Sequence, residues 1–343
     1  MNRFRAALTH PLGVAIGDML PPEQIGATAR WIETAGYSHV TVPEDCFYLP
    51  AQVGATLALN ATEQIPVGTS IVSALTRHPA ILAMEIAGIS RAFPGRFWPG
   101  IGLGLPPWLE QMGIMPERPV AAMREAIESI QQLLAGGTVD LAGKTLTLDK
   151  ITITHPAVED VPLTMGVMSP MMLRLSGQIA DATLFGASAG VTYFQQAMAD
   201  VAAGLQRSGR SADAMGYRTI ALVCVDRDGG RARDMVRPVL AEFLAEFADM
   251  STVTRYGITD ELKAMVSRGG GDVVAREMPD QWIDDLALVG TPREVADKVL
   301  RWVDAGIDAI AVFLPHPSEP DTLTLLAQEV IPLVAQSQQW RGC

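Results

Sequence analysis

The sequence predicts an α/β fold in which eight parallel strands and their helices close into one (β/α)8 TIM barrel with insertions. Short apolar runs alternate with longer helical patterns along almost the whole chain, which is typical of repeated βα units. Eight such runs occur, and eight is the number of strands that closes this barrel. No linker interrupts the alternation, so we expect residues 1–343 to form a single domain, a length that such barrels often reach.

The order of the elements follows from apolar spacing and from signals at the helix ends. Predicted strands cover residues 13–17, 39–42, 65–72, 97–103, 161–167, 182–185, 218–225 and 309–314. Predicted helices cover residues 22–36, 50–60, 79–91, 117–134, 169–180, 191–208, 229–247 and 292–305. Pro79 suits a first helical position, and Gly36 and Gly306 stand where helix C-caps belong.

Two segments break the alternation. Residues 136–148 are predicted to form a small excursion hairpin outside the barrel. Residues 250–288 are predicted to be an insertion that lies over the barrel mouth as a lid or substrate wall. Because this insertion contains Gly269, Gly270 and Gly271, we expect it to be partly mobile.

Composition excludes several classes of partner. The chain is 48% hydrophobic and 19% charged, with a formal net charge of -12, which disfavours binding to nucleic acid and to anionic membrane surfaces. No apolar run is long enough to span a bilayer. The three cysteines, Cys46, Cys224 and Cys343, form no metal or disulfide pattern, and Arg3 and Arg5 are not followed by a signal peptide. We therefore expect a cytoplasmic protein without a metal site.

The segment after the second predicted strand is the first candidate site, because reactive groups in a barrel belong at the carboxyl ends of strands. Residues 44–48 place two acids, a thiol and two aromatic rings there, which suits a site that holds a planar ring and hydrogen-bonds its edge. The alternative is that Asp45 only caps the following turn.

Three other strand ends are rich in small residues. Residues 68–72 read by themselves as an ordinary buried strand. Residues 100–104 look like a dinucleotide fingerprint but lack its third glycine, since Leu105 and Pro107 follow. Between the fifth strand and its helix, Ser169 suits an N-cap and Pro170 a first helical position, which would leave backbone N–H groups for a phosphate. Simple capping is the alternative. Gly186 and Ala187 begin a further small-residue wall.

Asp45, Cys46 and His78 are the candidate catalytic residues. His78 belongs to a cationic patch with Arg77 and could carry a proton, or it could make a structural hydrogen bond. Nothing in the sequence indicates a lowered pKa for Cys46, so we treat it as a pocket thiol. Motifs for metal-dependent or nucleophilic hydrolysis are absent, which indicates that a cofactor carries the difficult chemistry.

The chain resembles luciferase-like monooxygenases and their deazaflavin-dependent relatives. Residues 91–104 resemble the stretch S-x-G-R-x-x-x-G-x-G-x-G of that superfamily, and further matches extend over nearly the whole chain. These matches lie at residues 77–79, 118–125, 139–146, 175–181 and 289–295. The nearest branch is similar to methylenetetrahydromethanopterin reductase and uses coenzyme F420, a deazaflavin. The resemblance implies a bacterial luciferase-like barrel that transfers hydride to or from this cofactor.

The resemblance also implies roles for individual positions. Asp45 falls where the branch has the Asp of an Asp-His pair at the deazaflavin head, although Cys46 replaces the His here. Ser70–Ile71 matches a non-proline cis peptide that forms a bulge behind the ring, and residues 166–169 match the loop for the phosphate-bearing side chain. The residues expected to contact the cofactor are Asp45, Ser70, Ile71, Leu103, Gly104, Gly166, Val167, Met168, Ser169, Gly186 and Ala187.

Three hypotheses about function stay open on the sequence. The first is F420-dependent hydride transfer with a small organic substrate, which Leu103 and Leu105 suggest is apolar, because sugar-phosphate-oxidising relatives have polar or acidic residues there. The second is an FMN-dependent monooxygenase that uses oxygen. The third is a flavin-binding barrel without catalysis. Members of this superfamily often pair through barrel helices, so a homodimer is expected.

Overall fold

Parallel strands form a closed barrel in the computed structural model, which describes residues 2–17, 20–314 and 320–341. In chain order the strands of this part are β1 (Leu12–Ala15), β2 (Val40–Val42), β3 (Val67–Thr69), β4 (Val72–Ser73), β5 (Phe97–Trp98), β6 (Gly100–Gly102), β7 (Val139–Ala142), β8 (Thr147–Ile151), β9 (Thr164–Gly166), β10 (Ala182–Phe185), β11 (Gly216–Val225), β12 (Leu288–Gly290) and β13 (Ala309–Phe313). Every strand except β7 and β8 belongs to one sheet, and the neighbouring strands of that sheet are parallel to each other.

The ring closes because two of its strands are each made of two segments. β1 lies between β13 and β2, and the order continues through β3 to β5. β4 continues the chain of β3 and pairs with β6, which continues β5 and pairs with β9. From β9 the order runs through β10 and β11 back to β13. The predicted (β/α)8 barrel is confirmed. In the described part of the chain the ring has eight positions, here called staves; β3 with β4 fills the third, β5 with β6 fills the fourth, and a single strand fills each of the others.

Helices cover the outside of this barrel. They are α1 (Arg3–Ala6), α2 (Pro22–Thr34), α3 (Ala51–Ala61), α4 (Pro79–Ala92), α5 (Pro106–Gln111), α6 (Pro119–Leu134), α7 (Pro170–Ile179), α8 (Val191–Ser208), α9 (Gly229–Glu246), α10 (Ser251–Thr254), α11 (Thr259–Glu277), α12 (Asp280–Leu286), α13 (Pro292–Asp304), α14 (Pro320–Leu325), α15 (Ile331–Gln336) and α16 (Gln338–Arg341). A 3₁₀ turn covers Ala212–Ala214 and a π turn covers Leu326–Val330.

The third and fourth staves were predicted as continuous strands, and both are interrupted. The Ser70–Ile71 peptide is cis, as expected, and it separates β3 from β4. Pro99 separates β5 from β6, and a proline cannot donate to a strand ladder. The Thr69 hydroxyl bridges the gap, since it accepts from the Gly100 N–H at 2.8 Å and donates to the Gly100 carbonyl at 2.9 Å.

The amino-terminal end of the barrel is closed by α1. Phe4 is fully buried and packs edge-on against Trp98, with ring centroids 5.2 Å apart. The guanidinium of Arg218 lies 5.1 Å from the Trp98 ring and donates to Thr164 at 3.1 Å. Burial lowers the pKa of Arg218 to about 10, so it remains a cation at neutral pH. Access to the barrel interior is therefore from the opposite end.

The insertion at residues 250–288 is a packed helical unit. α10, α11 and α12 share a second hydrophobic core with α9, which includes Leu262, Val274 and Ile283. Gly269 and Gly270 make a kink inside α11, and Gly271 is buried against Glu242 of α9, where a Cβ would overlap its carboxylate. β12 follows α12 and extends the sheet beside the end of β11, which was not predicted.

Other differences lie at the edges of the fold. The excursion at residues 136–148 contains β7 and β8, which pair antiparallel, but its second strand continues to Ile151. The short helix α5 and the helices from Pro320 to Arg341 were not predicted. Among the described residues, no helix has the length and apolar character needed to cross a membrane.

Candidate functional site

A cavity of about 970 Å³ opens at the carboxyl ends of the barrel strands. Its wall combines the strand ends with residues from α5, the start of α6 and α7, the end of α9, and α11. Nine of the eleven residues expected to contact a cofactor line it: Asp45, Ser70, Ile71, Leu103, Gly104, Gly166, Val167, Met168 and Ser169. The expected convergence of Asp45, Ser70 and Ser169 on one cleft is therefore present. Their roles in binding stay predictions.

The floor of the cavity is the bulge at Ser70–Ile71, and glycines on neighbouring strands make room for it. A Cβ added to Gly102 would lie 2.7 Å from Ile71 Cδ1, and one added to Gly166 would overlap Ile71 Cγ2. A Cβ on Gly100 would overlap the Thr69 carbonyl. The glycine-rich run at residues 100–104 therefore provides space for the bulge, which explains the resemblance to a dinucleotide fingerprint.

The Ser70 hydroxyl faces this floor without a protein partner. Its side chain is 8% exposed, and its Oγ makes no hydrogen bond in the described structure. Buried hydroxyl groups are nearly always paired, by protein, water or ligand. Because Ser70 also lines the cavity, this unpaired hydroxyl is a candidate partner for a polar group of a ligand that settles on the floor.

The segment at residues 166–169 ends at the amino terminus of α7. The Ser169 side chain does not cap this helix, and Pro170 has no N–H, so the other amides of the first turn are left for a ligand. The Met168 carbonyl accepts hydrogen bonds from the Ser251 hydroxyl at 2.6 Å and the Tyr193 hydroxyl at 3.2 Å. These two bonds fix the loop, and they connect it to the first helix of the insertion.

Gly186 and Ala187 are not among the residues that line the cavity. Gly186 lies behind Met168, because a Cβ there would be 2.6 Å from Met168 Sδ. Gly186 therefore lets the Met168 side chain pack against β10, and it affects the cavity through that residue.

The cationic patch expected at residues 77–78 is neutralised by carboxylates. Arg77 makes two 2.8 Å hydrogen bonds to Glu44 and lies 3.3 Å from Glu85. Glu44 also accepts from the Ala51 N–H at the start of α3. Burial raises the pKa of Glu85, the nearby Arg77 opposes that shift, and Glu44 adds to it. This cluster ties the second and third βα loops together and offers no unpaired cation to an anionic ligand.

Two of the three candidate catalytic residues lie outside the cavity wall. His78 is exposed, and its Nδ1 accepts from the Ala80 N–H at 3.3 Å as the N-cap of α4, which is the structural alternative considered for it. Cys46 is half-buried; burial, followed by the carboxylates of Glu44 and Asp45, raises the pKa of its thiol. Of the three, Asp45 alone lines the cavity.

Sequence reasoning found part of the outer walls of the cavity, since it singled out Leu105 and the insertion that begins at Met250, but it missed Trp108 and Phe247. Leu105 and Trp108 belong to one wall, and Phe247 and Met250 belong to the wall formed by the end of α9 and the residues that follow it. The pair Pro106-Pro107 directly after a strand end could have predicted α5, since proline favours the first turn of a helix. No comparable signal marked the segment at residues 245–251, which the prediction left in a helix and at the edge of the insertion.

The charged side chains of these walls include Lys263 and Asp249, whose ammonium and carboxylate form an ion pair. Glu246 is exposed on the same wall. Among the described residues, no group of histidine, cysteine or acidic side chains is arranged to hold a metal ion.

A parallel barrel with an apolar cavity at its carboxyl edge defines a class of small-molecule enzymes in which loops supply the chemistry. Within that class the chain belongs to the luciferase-like monooxygenase family, whose sequence model matches residues 3–309.

Individual relatives cover nearly the same length. The chain is 28% identical over 319 residues to 5,10-methylenetetrahydromethanopterin reductase from Methanolobus tindarius. The matched region covers 91% of this chain and 96% of that relative. The chain is 25% identical to F420-dependent glucose-6-phosphate dehydrogenase from Nakamurella multipartita, over 93% and 94% of the two chains. The solved structure of coenzyme F420-dependent tetrahydromethanopterin reductase from Methanopyrus kandleri superposes with a TM-score of 0.82 at 24% identity, covering 95% and 99%.

Proposed function

We propose that this protein is an oxidoreductase that transfers hydride between coenzyme F420 and an organic substrate. The observation that carries the proposal is the convergence of Asp45, the Ser70–Ile71 bulge and the loop at residues 166–169 on one cavity of about 970 Å³. Relatives that match over most of their length carry F420-dependent names, which supports the choice of cofactor.

The residues of the cavity fit such a group. The unpartnered Ser70 hydroxyl is available to a polar group of the ring, and Ile71 would contact the ring from the floor of the cavity. The uncapped first turn of α7 provides N–H groups and a helix dipole for the phosphate of the side chain. When bound, the deazaflavin would supply the hydride chemistry at its ring carbon.

The protein's own part in the reaction is orientation, exclusion of water and handling of a proton. Asp45 and Glu44 are the acids of the second loop that line the cavity, and because Glu44 is paired with Arg77 we assign proton transfer or hydrogen bonding at the ring edge to Asp45. Ser251 holds the carbonyl of Met168, so the insertion at residues 250–288 would act as a fixed lid over this loop. Because burial raises the pKa of Cys46, its thiol stays protonated near neutral pH, so the residue after Asp45 is uncharged.

The test is a pair of titrations of the purified protein with coenzyme F420 and with FMN, followed by fluorescence quenching. We expect F420 to bind and FMN to bind much more weakly, and we expect Ser70→Ala to weaken F420 binding by about 3- to 10-fold, the effect of one lost hydrogen bond. Thr76→Ala, beyond the cavity wall, is the matched control. Tight FMN binding without F420 binding would show an FMN-dependent monooxygenase, and cofactor binding without turnover of any donor would show a non-catalytic barrel.

We further propose that two copies pair through the outer faces of α3 and α4. Val53 and Leu57 of α3 are 47% and 39% exposed, and Ile81 and Met84 of α4 are 46% and 54% exposed. Each pair has helical spacing, and α3 and α4 follow consecutive staves, so we expect both pairs to face the same partner, as exposed apolar side chains at interfaces do. We expect light scattering to give a dimer mass for the native chain and a monomer mass for Met84→Asp. A native monomer would contradict the proposal.

The location and organisation of the chain are proposed on similar grounds. Cys46 and Cys224 are reduced thiols in the structure, which suits a reducing cytoplasm; Cys343 lies outside the described residues. We propose residues 1–343 as a single luciferase-like domain, with residues 136–148 as an excursion.

A further inference from the structure

Resting on the proposed cofactor, we propose that the substrate of this enzyme is an uncharged, predominantly apolar organic molecule. The enzyme would therefore differ in substrate class from relatives named for a sugar phosphate. The inference comes from the two outer walls of the cavity and from the pairing of the cations around it.

The two outer walls present large apolar side chains to the space above the floor. Leu105 and Trp108 from the segment after β6 form one side, together with Val120 of α6. Phe247 and Met250, from the end of α9 and the turn after it, are on the other. Leu105, Trp108 and Phe247 are partly exposed in the structure, so a ligand between the walls would remove further apolar surface from water.

Among the described residues that line the cavity, the one cation is Lys263, and it is paired. Lys263, on the rim, forms an ion pair with Asp249, and Arg77 behind the floor is held by Glu44 and Glu85. The other ionisable side chains that line the cavity, Asp45 and Glu246, are acidic. A phosphate or carboxylate group on the substrate would therefore have to displace an existing partner, or lose its hydration without a new one.

Two of the longer helices begin at the cavity without a side-chain cap. The first turn of α7 would hold the proposed cofactor's phosphate, and a substrate anion there would compete with the cofactor for those amides. The first turn of α6 is also uncapped, but the residues that it contributes to the cavity wall, Pro119 and Val120, are apolar. The space between the apolar walls therefore selects a neutral molecule whose reacting carbon can reach the floor.

The direct test compares matched ligands on the protein saturated with coenzyme F420. Saturation-transfer NMR would measure binding of 4-methylcyclohexanone against 4-oxocyclohexane-1-carboxylate, and of 2-octanone against 7-oxooctanoate. Each pair differs mainly in one carboxylate. We expect the neutral member to bind at least about 10-fold more tightly in both pairs, because the charged member has an uncompensated desolvation cost.

Variants of the walls separate the substrate region from the cofactor region. Trp108→Ala and Phe247→Ala should each weaken binding of the neutral ketones by about 10-fold, the effect of losing most of one aromatic contact, while F420 affinity changes less than about 3-fold. If F420 affinity falls as much as ketone affinity, these walls belong to the cofactor site and the proposal is wrong.

A gain of function tests the charge argument. Asp249→Asn removes the partner of Lys263, and we expect it to raise the affinity for the two carboxylate ligands by up to about 5-fold without changing that for the ketones. Asp272→Asn, an exposed carboxylate on the same helix as Lys263 and outside the cavity wall, is the control.

The outcomes distinguish this inference from the proposed function. A protein that binds no coenzyme F420 fails the proposed function itself. A protein that binds F420 but prefers the carboxylate members, or glucose 6-phosphate, or binds neither ketone at millimolar concentration, has a different substrate class, and the inference is overturned.

Discussion

The contact between Gly166 and the Ser70–Ile71 bulge gives a quantitative prediction. Gly166→Ala places a methyl group where Ile71 Cγ2 already lies, and that atom cannot move away without moving the bulge. Overpacking of this kind costs about 1–3 kcal/mol. We therefore expect the free energy of unfolding to fall by about that amount and F420 binding to weaken by about 10-fold, because the displaced floor supports the ring.

A double-mutant cycle identifies the contact responsible. Ile71→Ala removes Cγ2, and because Ile71 is only partly buried its own cost should be about 1–2 kcal/mol. In that background Gly166→Ala should cost almost nothing, which gives a coupling energy of about 1–3 kcal/mol. Urea denaturation followed by circular dichroism measures all four proteins.

The control and the refuting result are equally specific. Gly26→Ala in α2 would place its Cβ 3.5 Å from that of Ala61, an ordinary packing distance, so it should be neutral or stabilise by up to about 1 kcal/mol. If Gly166→Ala unfolds at the wild-type midpoint, or if its cost is the same in the wild-type chain and in the Ile71→Ala variant, the glycine is not there to make room for the bulge.

Three further predictions concern the thiol of the second loop and the start of α13. Because burial raises the pKa of Cys46, its thiol should be alkylated by iodoacetamide more slowly at neutral pH than a free cysteine. Asp45→Asn should speed the reaction, because the carboxylate of Asp45 also raises this pKa. Mass spectrometry measures the alkylation rate as a function of pH. Thr291→Ala removes one half of a capping box and should cost about 1 kcal/mol in urea denaturation. Hydrogen bonds from the backbone N–H of Thr291 and then from its hydroxyl lower the pKa of Glu294. The ionised carboxylate therefore stabilises the fold at pH values above the ordinary pKa of glutamate, and this stabilisation is lost as the pH falls through the lowered pKa. Glu294→Gln should flatten the acid side of a plot of stability against pH.

The barrel could be predicted because its signals are local. The alternation of apolar runs and helical patterns, the proline at the start of α4 and the glycines after α2 and α13 each depend on a few neighbouring residues. Those signals gave the number of staves and their order. The interruption of the third stave is accommodated by contacts of Ile71 with glycines on other strands, and no periodicity in one segment reveals that. The interruption of the fourth stave falls at Pro99, a local signal that was not used.

The floor of the site could be predicted and the aromatic residues of its outer walls could not, for a related reason. Strand ends converge in any parallel barrel, so Asp45 and Ser169 could be placed together from the sequence, whereas Ser70 and its cis peptide were expected only from the family resemblance. Phe247 is the C-cap of α9, and it lines the cavity beside the insertion that shares a hydrophobic core with that helix. The position of Trp108 depends on a helix of six residues, which is too short for a periodic signal.

The pairing of charged side chains around the cavity accounts for both the proposed cofactor site and the proposed substrate preference. Around it, Arg77 is held by Glu44 and Glu85 and Lys263 by Asp249, which leaves neither of these two cations available to bind an anion. A chain with a net charge of -12 can still accept an anionic cofactor if the backbone provides the positive ends of dipoles, and the uncapped first turn of α7 does so without adding a mobile cation to the cavity. This arrangement admits the cofactor's phosphate at one end of the cavity. It leaves the space between Trp108 and Phe247 without a partner for a second anion. Cofactor binding and the preference for a neutral substrate therefore follow from one distribution of charge.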